Sequence, residues 1–269
     1  IRRARNLFSQ GAISAFILAA CGVTSSIYVL RAALEGPFGA DAATVSSFLQ
    51  GIQIAVFNIA FTSVAAYLND AENHQTDTAF ENSLISKVFS FQFVTSYISF
   101  FYLAFVAQYL ERGKFDEGEF LGQCGYYNCM QPLAIQLAAI YGSRLTSNNV
   151  IEIGMDWWYY RTKFNAETKG TGKGVEHLSP PELEYALLDA NVIYDSINLF
   201  VDTAIQFGYS VLFIVALPGA FMATLLSNYA RVRLTAWKMT SWYQRSIPCG
   251  VEDIGAWQSI FYLIAFVGV

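Results

Sequence analysis

Seven long apolar runs, separated by polar stretches, constrain this chain more than any other feature of it. They cover residues 11–30, 45–68, 84–110, 130–153, 197–217, 219–236 and 254–269. One bilayer crossing takes about 20 mostly apolar residues. In lipid every backbone polar group needs an internal partner, so only helices or closed barrels cross. Barrel strands are about 9–11 residues long and alternate in polarity. These runs are about twice that length and do not alternate. The expected fold is therefore all-α: a polytopic transmembrane helical protein with about seven segments. The last run, of about 16 residues, is short for a crossing, and the chain starts without Met. Both features lead to the expectation that it is part of a longer protein.

Composition agrees. Hydrophobic residues make up 54% of the chain and charged residues 14%, where soluble domains carry about 25% charged residues. The net charge of −5 gives no basic face for nucleic acid. The basic start, Ile1-Arg-Arg-Ala-Arg5, is not followed by a small-residue cleavage site, so no signal peptide is expected.

Loop charges predict the orientation. With the N-terminus cytoplasmic, the inner side holds Arg2, Arg3, Arg5, Lys87, Arg161, Lys163, Lys169, Lys173, Arg231, Arg233, Lys238 and Arg245. The outer side holds Arg31, Arg112 and Lys114, and the asymmetry follows the positive-inside rule. The stretch 157–181 reads as the longest cytoplasmic loop, with Lys169–Gly174 as a flexible turn. That turn lacks the first Gly and the terminal Ser or Thr of a phosphate-binding loop. Two histidines in separate regions and no nucleophile motif leave nothing from which to build an enzyme site.

The stretch Leu68-Asn-Asp-Ala-Glu-Asn-His-Gln-Thr-Asp77 resembles a loop of the anoctamin family of lipid scramblases and chloride channels. Lys87–Val94, Ser96-Tyr97 and Phe101–Phe105 resemble the family's fifth helix. Ile135-Gln-Leu137 and Asn148–Gly154 are similar to its sixth, Gln206-Phe-Gly-Tyr209 and Pro218 to its seventh, and Asp253-Ile-Gly-Ala-Trp257 to the start of its ninth. The resemblance implies that residues 1–269 are a partial transmembrane domain, helices three to nine. The N-terminal cytoplasmic domain, the first two helices and the last would lie outside it. Implied partners are membrane lipids, a second copy bound through a helix outside this chain, or other membrane subunits.

The resemblance also implies a calcium site between helices six, seven and eight. Hard cations of this kind take six to eight oxygen ligands. Asn148 and Glu152 match the sixth-helix pattern N-x3-E, and at i and i+4 they share a helix face. In the seventh-helix pattern E-x2-E, Asp202 holds the second position but Leu199 the first. In the eighth-helix pattern E-x3-D, the positions carry Arg231 and Thr235. One amide and two carboxylates remain where the family supplies one amide and five carboxylates, so tight two-ion binding is expected to be lost. Arg231 then has two readings. It pairs with Glu152 or Asp202 and holds the helices as calcium otherwise does, or it snorkels to the interface as Arg233 and Lys238 are expected to do. A third reading leaves one weakly held ion at Asn148, Glu152 and Asp202.

Scramblases of the family expose a polar groove to lipid. Thr95, Ser99 and Tyr102 at i, i+4, i+7 are candidates, with Ser143 and Ser147 as a second pair. The competing reading is that such hydroxyls bond back to their own helix or serve close packing. Gly142 stands where the family has a hinge glycine, although the interval from Ile135–Leu137 to Asn148 is about one residue short. Cys124 and Cys129 fall in an expected outer loop where the family has paired cysteines; a disulfide or free thiols both fit. The expected function is an anoctamin-like scramblase or ion channel with degraded calcium control. The alternative is a non-transporting subunit or tether in a membrane assembly.

Overall fold

The helix over Asp77–Phe101 is apolar nearly all round, and a helix of that kind needs neighbours on every side. A computed structural model supplies them; it describes residues 2–38, 41–106, 130–143, 149–170, 179–248, 250 and 253–268. Helices α1 (Arg2–Phe38) and α2 (Asp41–Glu72) form a hairpin, followed by the central α3 (Asp77–Phe101) and a π-helical turn, Tyr102–Val106. Then come α4 (Met130–Ser143), α5 (Asn149–Gly170), the short α6 (Pro180–Tyr185), α7 (Val192–Leu212), α8 (Ala220–Ser241) and α9 (Ala256–Gly268). Among the described residues no strand forms; one parallel bridge joins Leu188 and Tyr243.

The architecture is that of a polytopic helical membrane protein. By length and composition, Phe8–Ile27, Leu49–Glu72 and Asp77–Val106 can each cross a bilayer, and Leu133–Gly142 and Ala256–Gly268 are shorter apolar helices. Large apolar side chains such as Leu18, Ile59 and Phe266 are turned outward. In water such a surface would drive association; in lipid it is the ordinary exterior.

Two expectations about boundaries change. The run expected at 130–153 falls on both α4 and α5, with residues 144–148 outside the described residues. The expected loop from residue 157 is helical as far as Gly170. The reason is local: Met155–Lys169 contains neither Gly nor Pro, and its Arg, Lys, Ala and Glu residues favour helix. The stretch is polar without being irregular.

The core is built round α3, with α1 and α2 on one side and α7 and α9 on the other. Phe61 stacks on Phe91 with ring centroids 3.9 Å apart, and Phe16 meets both edge-on. On the opposite side Phe89 and Phe200 pack against Trp257. Tyrosine hydroxyls add direction to this packing. Tyr97 of α3 donates to the Ile205 carbonyl of α7 at 2.6 Å, and Tyr209 of α7 donates back to the Ser96 carbonyl at 3.1 Å. Tyr141 of α4 donates to the Gln206 carbonyl at 3.3 Å and shares a 3.0 Å hydrogen bond with Thr224 of α8. Phe207 packs edge-on against Phe261 of α9. Each residue of Gln206-Phe-Gly-Tyr209 therefore has a packing role, Gly208 included: a Cβ there would lie 2.1 Å from the Tyr97 hydroxyl.

The α2–α3 hairpin explains Leu68–Asp77 in the same way. Lys87 donates to Glu72 at 2.6 Å, to Asn69 at 2.8 Å and to Ser83 at 2.7 Å. Glu72 also meets His74 at 3.1 Å and Ser83 at 3.3 Å. The Asn69 amide donates to the Phe80 carbonyl at 3.0 Å. Asn73 takes the left-handed conformation, φ 53°, which Asn tolerates better than most residues. Thr76 caps α3 by accepting from the Ala79 N–H. At the start of α9, Gly255 has φ 62°, and the Asn82 side chain accepts from the Ala256 N–H at 2.9 Å.

Gly208→Ala is expected to push the Tyr97 hydroxyl off its carbonyl and to lower stability by about 1–3 kcal/mol, the usual range for overpacking. Thermal unfolding in detergent measures this, and Tyr97→Phe in the same chain should recover part of the loss.

Candidate ion-pair site

Helix α8 carries two cations that turn into the bundle, Arg231 and Lys238. Arg231 and Lys238 are seven residues apart and so share one face. Arg231 turns onto α7: its Nη2 donates to Asp202 Oδ2 at 3.2 Å, and its side chain is only 14% exposed. Its Nη1 is buried without a hydrogen-bond partner among the described residues. Asp202 is more open, with a side chain 39% exposed. Lys238 turns onto α5, where it pairs with Asp156. Lys238 is buried, so it departs from the expectation that it snorkels to the interface. Arg233 is exposed and lies over the Tyr229 ring, its guanidinium carbon 5.4 Å from the centroid.

The other expected site residues are placed as follows. Thr235, one turn on from Arg231, is half-buried. Leu199 is half-buried on α7, and its carbonyl accepts from Thr203 Oγ1 at 2.8 Å. Glu152 lies within α5, but its side chain is outside the described residues, and Asn148 is outside them altogether. Ser147, Cys124 and Cys129 are also outside, as is the side chain of Ser143. Gly142 lies near the end of α4, exposed, with open space where a Cβ would stand. Thr95 and Ser99 are buried on α3, and Tyr102 opens the π-helical turn half-buried. Thr95 Oγ1 donates to the Phe91 carbonyl at 3.0 Å, a bond back to its own helix.

Sequence reasoning missed Asp156. The signal was present: Asn148, Glu152 and Asp156 continue one face of a helix at four-residue steps. The apolar run ends at residue 153, and that limit leaves Asp156 one step outside the face. The Glu72–Lys87 pair is likewise hidden in the sequence, where Lys87 reads as one of the inner-side loop charges. Both of its side chains are less than 10% exposed.

A family model described as "Anoctamin: Calcium-activated chloride channel" matches residues 2–269. The chain belongs to the anoctamin family. It is 30% identical to mouse Anoctamin-3 over 239 residues, which are 81% of this chain and 22% of the relative. It is 28% identical to human Anoctamin-5 over 243 residues, 83% of this chain and 24% of the relative. Human Anoctamin-7 matches at 28% over 243 residues, again 83% of this chain and 24% of the relative. The chain thus spans about a quarter of the length of these relatives. Within this anoctamin segment, Asp202 of α7 and Arg231 of α8 are joined by a guanidinium–carboxylate contact.

A double-mutant cycle on Arg231→Met and Asp202→Asn is expected to give a coupling of about 1 kcal/mol in thermal unfolding, the modest figure that suits a half-exposed pair. Additive effects would mean that the two side chains do not interact in the membrane-bound protein.

Proposed function

We propose that the protein is an anoctamin-type membrane transporter that scrambles phospholipid or conducts ions, with calcium control weakened by a cation of its own. The observation that carries this reading is the Arg231–Asp202 pair. Asp202 is the carboxylate left at the seventh-helix positions, and the guanidinium lies against it. An arginine stays protonated at any physiological pH, so it opposes entry of a second cation at short range. One amide and two carboxylates from Asn148, Glu152 and Asp202 are too few donors for two calcium ions, and Arg231 already lies against Asp202. The guanidinium supplies a fixed positive charge that draws α7 and α8 together, and that charge is present whatever the ion concentration. Charge asymmetry between the loops supports placing this end of α8 on the cytoplasmic side.

The second reading, a non-transporting subunit or tether, is favoured by α3. A groove for headgroups needs hydroxyls turned toward lipid, whereas Thr95 and Ser99 are buried and Thr95 bonds to its own helix. Ion conduction through another path, or packing within an assembly, needs no such stripe.

The deciding experiment is scrambling of a fluorescent phospholipid, with ion flux in parallel, by the full-length protein in liposomes with calcium and with chelator. The expected outcome is equal rates in both, with a several-fold loss in Arg231→Ala. A rate raised tenfold or more by calcium would contradict weakened control. Neither scrambling nor flux from well-folded protein would leave the non-transporting reading.

A further inference from the structure

Three residues on one face of α5 point at the end of α8. Asp156, Tyr160 and Lys163 stand at i, i+4 and i+7. Asp156 pairs with Lys238. Tyr160 stacks on Trp242, with ring centroids 6.0 Å apart and planes 15° from parallel. Lys163 Nζ donates to the Leu187 carbonyl at 2.6 Å and reaches the Asp189 carboxylate at 3.2 Å.

The first two contacts are rungs of one ladder. Asp156 to Tyr160 is four residues, and so is Lys238 to Trp242. Both helices advance one turn between contacts, so they run side by side in the same direction. The third contact ends on the same body, because the segment after α6 is tied to the end of α8. Leu188 N–H donates to the Trp242 carbonyl at 2.9 Å, and Gln244 N–H donates to the Leu188 carbonyl at 2.8 Å. The Gln244 amide also donates to the Leu187 carbonyl at 3.2 Å.

The contacts differ in strength. Lys163–Asp189 is open to solvent at the carboxylate, which is 83% exposed, and such pairs contribute little. The Tyr160–Trp242 stack is directional but modest. Lys238 with Asp156 is the most enclosed of the three, at 10% and 20% side-chain exposure. Removing one member of an enclosed pair is far more disruptive than removing a surface pair, because a charge is left short of its counter-charge.

We propose that Asp156 and Lys238 are a positioning pair that holds α5 against α8, with the Tyr160–Trp242 stack and the Lys163–Leu187 hydrogen bond completing a latch. The latch goes beyond the transport reading and does not depend on it: these contacts fix α5 whatever crosses the membrane. Together with Arg231 it gives α8 two cations on one face, one for α7 and one for α5. Three helices are then held by charges that belong to the chain, with no ion needed to complete the set.

The test is a distance measurement in the full-length protein reconstituted in lipid. Nitroxides are placed at Ala166 on α5 and Ala236 on α8, both exposed, with the native cysteines replaced by serine. Pulsed dipolar spectroscopy should give one narrow distance, the same in calcium and in chelator. Asp156→Asn and Lys238→Met should each broaden or shift it, and the exchanged pair Asp156→Lys with Lys238→Asp should restore it. If the exchanged pair does not fold, Tyr160→Leu serves instead and should broaden the distribution while the charges remain. A distribution left unchanged by all the single variants, or one that moves when calcium is added to the unmodified latch, would overturn the proposal. A folded exchanged pair that fails to restore the narrow distance would also overturn it.

Discussion

A charged or hydroxyl group inside a lipid-facing helical bundle has little water to turn to, and the whole arrangement depends on how this chain meets that demand. Lys87 shows the solution at its fullest. Its ammonium reaches Glu72, Asn69 and Ser83, so its three donors find three acceptors, two of them at the end of α2. The network sets the α2–α3 hairpin, and the hairpin sets the direction of α3. Tyr97 and Tyr209 then exchange hydroxyl-to-carbonyl bonds between α3 and α7, and Tyr141 extends the same device to α4 and α8. Apolar packing alone is non-directional; these few polar contacts define which helix faces which.

The charges on α8 follow the same logic with a functional consequence. A carboxylate within a bundle can be balanced by a bound metal or by a basic side chain. In this anoctamin segment Asp202 has Arg231 and Asp156 has Lys238. A metal can leave and return, so it suits a site under control. A tethered cation cannot leave the carboxylate it balances. The exposed aromatics Trp157, Trp158 and Tyr159 lie beside the Asp156 contact, residue types that favour the bilayer interface.

Fold class was legible in the sequence because the length and continuity of apolar runs leave few alternatives to membrane helices. Helix limits were less legible. Polarity marked 157–170 as loop, but helix formation there depends on propensity and on Tyr160 and Phe164 at one-turn spacing. Substitution of Arg231 and Thr235 for acidic residues was visible by resemblance, and the choice of Asp202 as the partner of Arg231 was not. That choice depends on where α7 and α8 meet, which no local pattern encodes. The motif at 68–77 was recognised without its purpose, since its contacts with Ser83 and Lys87 appear only once the hairpin is folded. Thr95 and Ser99 had the spacing of a polar stripe, but spacing does not say which face of α3 meets lipid.

We propose that a guanidinium balances Asp202 in place of bound metal. The most direct test is the unfolding temperature of the purified full-length protein in millimolar calcium and in chelator, because an ion that binds the folded state must raise its stability. The same unfolding temperature is expected in both. A rise of several degrees in calcium, abolished by Asp202→Asn, would contradict it.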